Sequence, residues 1–145
     1  MRTLLFPLAL TFLLVSAVAG CKGSNPAAAG DSAPVETPEI SIEDASKALH
    51  AGAVAVDANS SSTREKHGTV PDAIILTSSS KYELAQLPED KSKDLIFYCS
   101  STSCTASDNA AERASTNGYE NVHVMREGIK GWKAAGNATA PYPQS

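Results

Sequence analysis

Apolar positions along this chain fall into short runs separated by polar turns, and their period changes from run to run. Ile42, Ala45, Ala48 and Leu49 recur at helical spacing behind Ser41-Ile42-Glu43-Asp44, a capping arrangement, until Gly52 ends the segment. Ala53-Val54-Ala55-Val56-Asp57 then reads as a short buried strand with an acid at its end. Thr63 to His67 predicts a brief helical turn, and Val70-Pro71-Asp72-Ala73 turns the chain into a second strand at Ile74-Ile75-Leu76. Ser80 to Leu87 is expected to form a further helix, stopped by Pro88. Leu95 to Tyr98 predicts the central strand, Ser107 to Asn117 a helix ended by Gly118, Val122 to Met125 the last strand, and Ile129 to Ala135 a closing helix before Gly136. Strands that alternate with helices and are apolar on both faces imply an α/β fold whose parallel sheet is covered on two sides. Ligands of such sheets bind beyond the carboxyl ends of the strands, where Asp57 and Cys99 fall.

The first twenty residues break this pattern. A short leading region with Arg2 precedes an almost unbroken apolar run from Leu4 to Val18, too short and wrongly flanked for a stable membrane span, which reads as an export signal. Its end, Val18-Ala19-Gly20-Cys21, resembles the lipobox of bacterial lipoproteins. That resemblance implies removal of residues 1–20 and acyl chains on Cys21, each buried CH₂ contributing about 0.8 kcal/mol to anchoring. It places the mature protein in a bacterial cell envelope, on the periplasmic face. Lys22 stands where inner-membrane lipoproteins commonly carry Asp, which favours the outer membrane. Residues 21–38, rich in Gly, Ser, Asn, Pro and Ala, bury too little surface to offset their ordering entropy and are expected to be a flexible tether. Residues 39–140 are the size of one small domain with one core, and 141–145 form a tail.

Charge narrows the partners. The chain is 42% hydrophobic and 19% charged with net charge −4; losing the signal leaves 11 basic against 16 acidic residues, or −5. No basic tract occurs, which argues against nucleic acid. A mildly negative protein attracts anions only locally. A monomer is expected.

Cys99 carries the candidate chemistry. It ends the apolar run Leu95-Ile96-Phe97-Tyr98, and the polar loop Ser100-Ser101-Thr102-Ser103 leads to Cys104 and a helical stretch. A thiol between a strand end and a helix N-terminus is expected to be held as a nucleophilic thiolate. With Cys21 lipidated, Cys99 and Cys104 are the remaining thiols, open to oxidation in an exported domain. Two thiols with four residues between them and no second pair are a weak metal signal, so no metal or cofactor is expected. A Cys-x5-Arg phosphatase would need Arg where Thr105 stands, and a thioredoxin-like protein a shorter Cys-x-x-Cys spacing.

Taken together, Val56-Asp57, Gly68-Thr69-Val70-Pro71-Asp72-Ala73-Ile74, Phe97-Tyr98-Cys99, Ala110-Ala111, Gly118-Tyr119-Glu120-Asn121-Val122 and Glu127-Gly128-Ile129-Lys130-Gly131-Trp132 resemble, in order, the signatures of a rhodanese-like domain. The resemblance implies a five-stranded parallel sheet with helices on both faces, and a loop whose amides, here those of Ser100, Ser101, Thr102, Ser103 and Cys104, encircle a persulfide on Cys99. It implies transfer of sulfane sulfur from thiosulfate or polysulfide to a small thiol or protein cysteine, or persulfide reduction. Asp57 is expected to support the turn after its strand by accepting backbone hydrogen bonds. No basic residue lies between Lys93 and Arg113, which disfavours a thiosulfate dianion and favours a thiol or polysulfide source. Cys104 is a candidate resolving thiol. A noncatalytic sulfur carrier or thiol-redox module on the same fold stays open beside the enzyme.

Overall fold

The computed structural model describes residues 37–143; the segment expected to be a signal, Cys21, the expected tether through residue 36 and residues 144–145 lie outside them. Helices α1 (Ile42–His50), α2 (Ser61–His67), α3 (Ala106–Thr116) and α4 (Gly128–Ala134) alternate with strands β1 (Val54–Asp57), β2 (Ile74–Ile75), β3 (Asp94–Tyr98) and β4 (Asn121–Met125). The strands form one parallel sheet in the order β2-β1-β3-β4.

Both faces of the sheet are buried because successive strand residues point to opposite sides. Val56, Leu95, Phe97, Val122 and Val124 pack with Ala110, Ala111 and Ala114 of α3. Ala55, Ile96, Tyr98 and Met125 pack on the other face with Ala45 of α1 and with Ile129 and Trp132 of α4. Ser41 caps α1 as its sequence predicts: its hydroxyl accepts the Asp44 amide proton at 3.1 Å, an arrangement that stabilises a helix by about 1 kcal/mol.

The fifth strand implied by the resemblance is reduced to one parallel bridge, Glu39 beside Val124. Ile40 donates to the Val124 carbonyl at 3.0 Å and Val124 to that of Pro38 at 2.9 Å. Pro38 has no amide proton and the chain enters α1 directly after Ser41, so pairing stops there. The helix expected from Ser80 to Leu87 is not formed: a turn is followed by one 3₁₀ turn, Leu84–Gln86. Tyr82 and Leu87 both enter the α3-side core. Five residues apart on an α-helix they would point about 140° away from each other, so a regular helix cannot bury both.

Candidate active site

Tyr98, the last residue of β3, pairs with Asp57 of β1 and Met125 of β4, so Cys99 leaves the sheet at its middle, flanked by two strand ends. It is only 1% exposed. The first amides of a helix lack intrahelical partners, and α4 gives two of them to the loop. Ile129 donates to the Cys99 carbonyl at 2.8 Å and Lys130 to that of Ser100 at 3.2 Å. Gly128 permits this approach: its φ is +62°, and a Cβ there would run into the Cys99 carbonyl.

The Cys99 sulfur faces acceptors as well as donors. Its thiol donates to the Cys104 carbonyl at 3.1 Å, with the Ser101 carbonyl at 3.9 Å. The buried Ser107 hydroxyl donates to it at 3.4 Å, and the Ser107 amide in the first turn of α3 adds a second donor. Burial pushes the Cys99 thiol above its ordinary range, and a hydrogen bond with the Cys104 thiol adds to this; both Ser107 donors oppose it without prevailing. Burial also pushes Cys104 upward, but the Cys99 thiol, the amides of Ser100 and Ala106 and the Ser100 hydroxyl outweigh it and leave Cys104 below the ordinary range. Against the expectation of a thiolate stabilised at Cys99 stand its burial and the Cys104 thiol; for it stand the hydroxyl and amide of Ser107. The two thiols act on each other, Cys99 being pushed up and Cys104 drawn down.

The ring of inward amides is correspondingly incomplete. The Cys104 amide is used inside the loop, donating to the Ser101 carbonyl at 3.0 Å, and the Ser101 and Ser103 hydroxyls bond each other at 3.4 Å. Thr102 and Ser103 are exposed. The Ser107 amide draws the Cys99 thiol down, and the amides of Ser100 and Ala106 act on Cys104 instead. A protonated thiol needs acceptors, which is why carbonyls stand at Cys99.

Beneath the loop, Asp57 accepts the Asn59 amide proton at 2.7 Å on Oδ1. The same oxygen takes the Arg64 Nε proton at 2.9 Å. Arg64 Nη2 reaches the carbonyls of Asp57 at 3.2 Å and Leu76 at 3.0 Å, tying α2 to β1 and to the residue after β2. Tyr142 stacks over the guanidinium at 5.7 Å. Tyr98 accepts the Val70 amide proton at 2.9 Å, and burial, then the Asp57 carboxylate, keep its phenol protonated. Asp57 Oδ2 and Asn59 Nδ2 are buried without a partner. Sequence reasoning missed Arg64 and Ser107. Arg64 looks like one more polar residue of a short helix, and Ser107 is marked only by its place at a helix start.

Two other features do not join this site. A cleft of about 590 Å³ lined by Leu49, His50, Val70, Asp72, Trp132 and Ala138 contains neither Cys99 nor its loop. Among the described residues no three His, Cys, Asp or Glu side chains converge as metal ligands do.

Comparison with known proteins agrees with this architecture. The model of the rhodanese-like domain family matches residues 41–135. A Bacillus halodurans protein of solved structure is 22% identical, with a TM-score of 0.62, over 72% of this chain and 77% of its own. A rhodanese-related protein of Thermoplasma volcanium, also 22% identical, has a TM-score of 0.58 over 72% of this chain and 99% of its own. The rhodanese-like domain of an Anabaena protein, again 22% identical, has a TM-score of 0.59 over 72% and 80%. These three likenesses concern the fold. No curated protein matches significantly. With its parallel sheet, its cysteine loop beyond the central strand and a family match over most of its length, the chain belongs to the rhodanese-like domain family.

Proposed function

We propose that this chain handles sulfane sulfur in a bacterial envelope, tethered through acyl chains on Cys21, by way of a persulfide on Cys99 that Cys104 resolves. One observation carries the reading: two free thiols stand in one loop, where the Cys99 thiol donates to the Cys104 carbonyl at 3.1 Å and the first amides of α4 hold the carbonyls of Cys99 and Ser100. As Cys99 attacks a polysulfide or thiosulfate, its proton passes to the Cys104 thiolate, its sulfur bonds the sulfane sulfur, and the shortened polysulfide or sulfite leaves. Cys104, once deprotonated, then attacks the inner sulfur of the persulfide. The S–S bond breaks, hydrosulfide leaves, and a Cys99–Cys104 disulfide remains for an external dithiol to reduce. Intercepted earlier, the persulfide gives its outer sulfur to a small thiol or protein cysteine. The noncatalytic carrier has one observation in its favour, the deep burial of Cys99, which slows release.

The test loads the full chain with polysulfide and follows intact mass and sulfide. Wild type is expected to gain one sulfur, release sulfide and end as the disulfide. Cys104→Ser is expected to hold the persulfide at least tenfold longer. Equal persulfide lifetimes would remove Cys104 from the mechanism, and sulfur uptake by Cys99→Ser would remove Cys99.

A further inference from the structure

The described residues carry a net negative charge, yet basic side chains fall together on α2 and on α4, the helix whose first amides hold the loop. Lys66 and His67 end α2, while Lys130 and Lys133 lie one turn apart on α4. The three lysines are exposed, and segment 138–140 joins their helices: Thr69, two residues past α2, exchanges both backbone hydrogen bonds with Ala140 at 2.9 Å, and Trp132 of α4 donates to the Ala138 carbonyl at 2.7 Å, with His67 in the field of all three. Lys130 is rooted at the site, since its own amide holds the Ser100 carbonyl at 3.2 Å. None of the ion pairs among the described residues uses these lysines. Glu65 and Glu127, their acidic neighbours in sequence, leave three cations against two carboxylates.

Helix electrostatics accounts for only part of this grouping. Lys66, His67 and Lys133 sit in last turns, where a cation offsets the negative end of the helix. Lys130 sits in the first turn of α4, where the dipole favours an acid, so the helix gains nothing from its charge. Burial, then the lysines, hold His67 below the usual imidazole range, so at neutral pH the face is charged by lysine alone.

We infer that the face formed by Lys66, Lys130 and Lys133 docks an acidic segment of the protein whose cysteine takes sulfur from Cys99. This rests on the proposed persulfide and names its acceptor. Charge complementarity on an otherwise acidic protein selects the partner: an acidic chain is repelled elsewhere and steered to the edge of the thiol loop. There the acceptor thiolate attacks the outer sulfur of the Cys99 persulfide. The S–S bond breaks, Cys99 leaves as thiolate and recovers a proton, and the acceptor carries the persulfide. The step is redox-neutral.

The test loads the full chain, solubilised in detergent, with polysulfide and offers three single-cysteine peptides flanked by Glu, Gln or Lys. The Glu peptide is expected to draw sulfur at least tenfold faster than the Lys peptide at low salt. That preference should shrink as ionic strength rises past about 0.1 M, where the screening length is about 10 Å. The triple variant Lys66→Gln, Lys130→Gln, Lys133→Gln should lose the preference, and the double variant Lys66→Gln, Lys133→Gln should weaken it while 2-mercaptoethanol still draws sulfur at the wild-type rate. Equal rates for the three peptides, or a preference that survives the triple variant, would overturn the docking face. A triple variant impaired only in loading by thiosulfate would reassign the lysines to a small anionic donor and overturn it too. Failure of every thiol, 2-mercaptoethanol included, would instead sink the persulfide reading beneath it.

Discussion

Removing one hydroxyl tests how the loop controls its sulfur. Ser107 is 1% exposed and donates to Cys99 Sγ at 3.4 Å, so Ser107→Ala deletes a donor that solvent cannot replace. A hydrogen bond to a charged group contributes about 1.5–3 kcal/mol, and each 1.36 kcal/mol changes the thiolate fraction about tenfold. A more basic thiolate is also the better nucleophile, recovering a little under half of that loss on a logarithmic scale. The net expectation at pH 7 is alkylation roughly 4- to 15-fold slower. The assay measures iodoacetamide modification of Cys99 from pH 6 to 10 in a Cys104→Ser background, which leaves one loop thiol to titrate. The profile should move to higher pH in Ser107→Ala, with the folded circular-dichroism signal retained. An unmoved profile in a folded variant would mean that the α3 backbone amide alone stabilises the sulfur, and the role given to the hydroxyl would be wrong.

Other outcomes follow from the same geometry. Arg64→Ala leaves the Asp57 carboxylate buried and unpaired and should cost about 3–5 kcal/mol in chemical denaturation; a loss below 1 kcal/mol would show that the pair is not what fixes α2 to the strand ends. Gly128→Ala places a side chain against the Cys99 carbonyl at a left-handed φ, so sulfur uptake should fall at least tenfold while thermal stability drops only modestly; unchanged uptake would show that the loop moves freely of α4. Burial raises the Tyr82 phenol to about 12, opposed by Arg113. Its unfolded value is near 10. Stability from this group is therefore full below pH 10 and is lost as pH rises toward 12; Tyr82→Phe should flatten that fall in urea melts, and an unchanged alkaline slope would contradict the assignment.

Much of the fold was legible because burial on two faces leaves a local trace. Runs such as Leu95 to Tyr98 must be apolar at every position, and Gly52, Pro88, Gly118 and Gly136 punctuate them. The error at Ser80 to Leu87 arose where local propensity and tertiary burial disagree. The segment suits a helix, but Tyr82 and Leu87 must both reach the core beside α3, and Tyr82 must bond the Ala110 carbonyl at 2.9 Å.

By itself the sequence determined the alternation of strands and helices, the family, and the two thiols of the loop, because these are written in residues near one another in the chain. Only the tertiary structure decided that burial pushes the Cys99 thiol up while its neighbours draw Cys104 down, that Arg64 answers the Asp57 carboxylate, that Ser107 touches Cys99, and that segment 138–140 joins the ends of α2 and α4. Burial and the direction of a carbonyl or amide arise only when distant segments are packed together, and they set the charge of a thiol more strongly than its neighbours in sequence do.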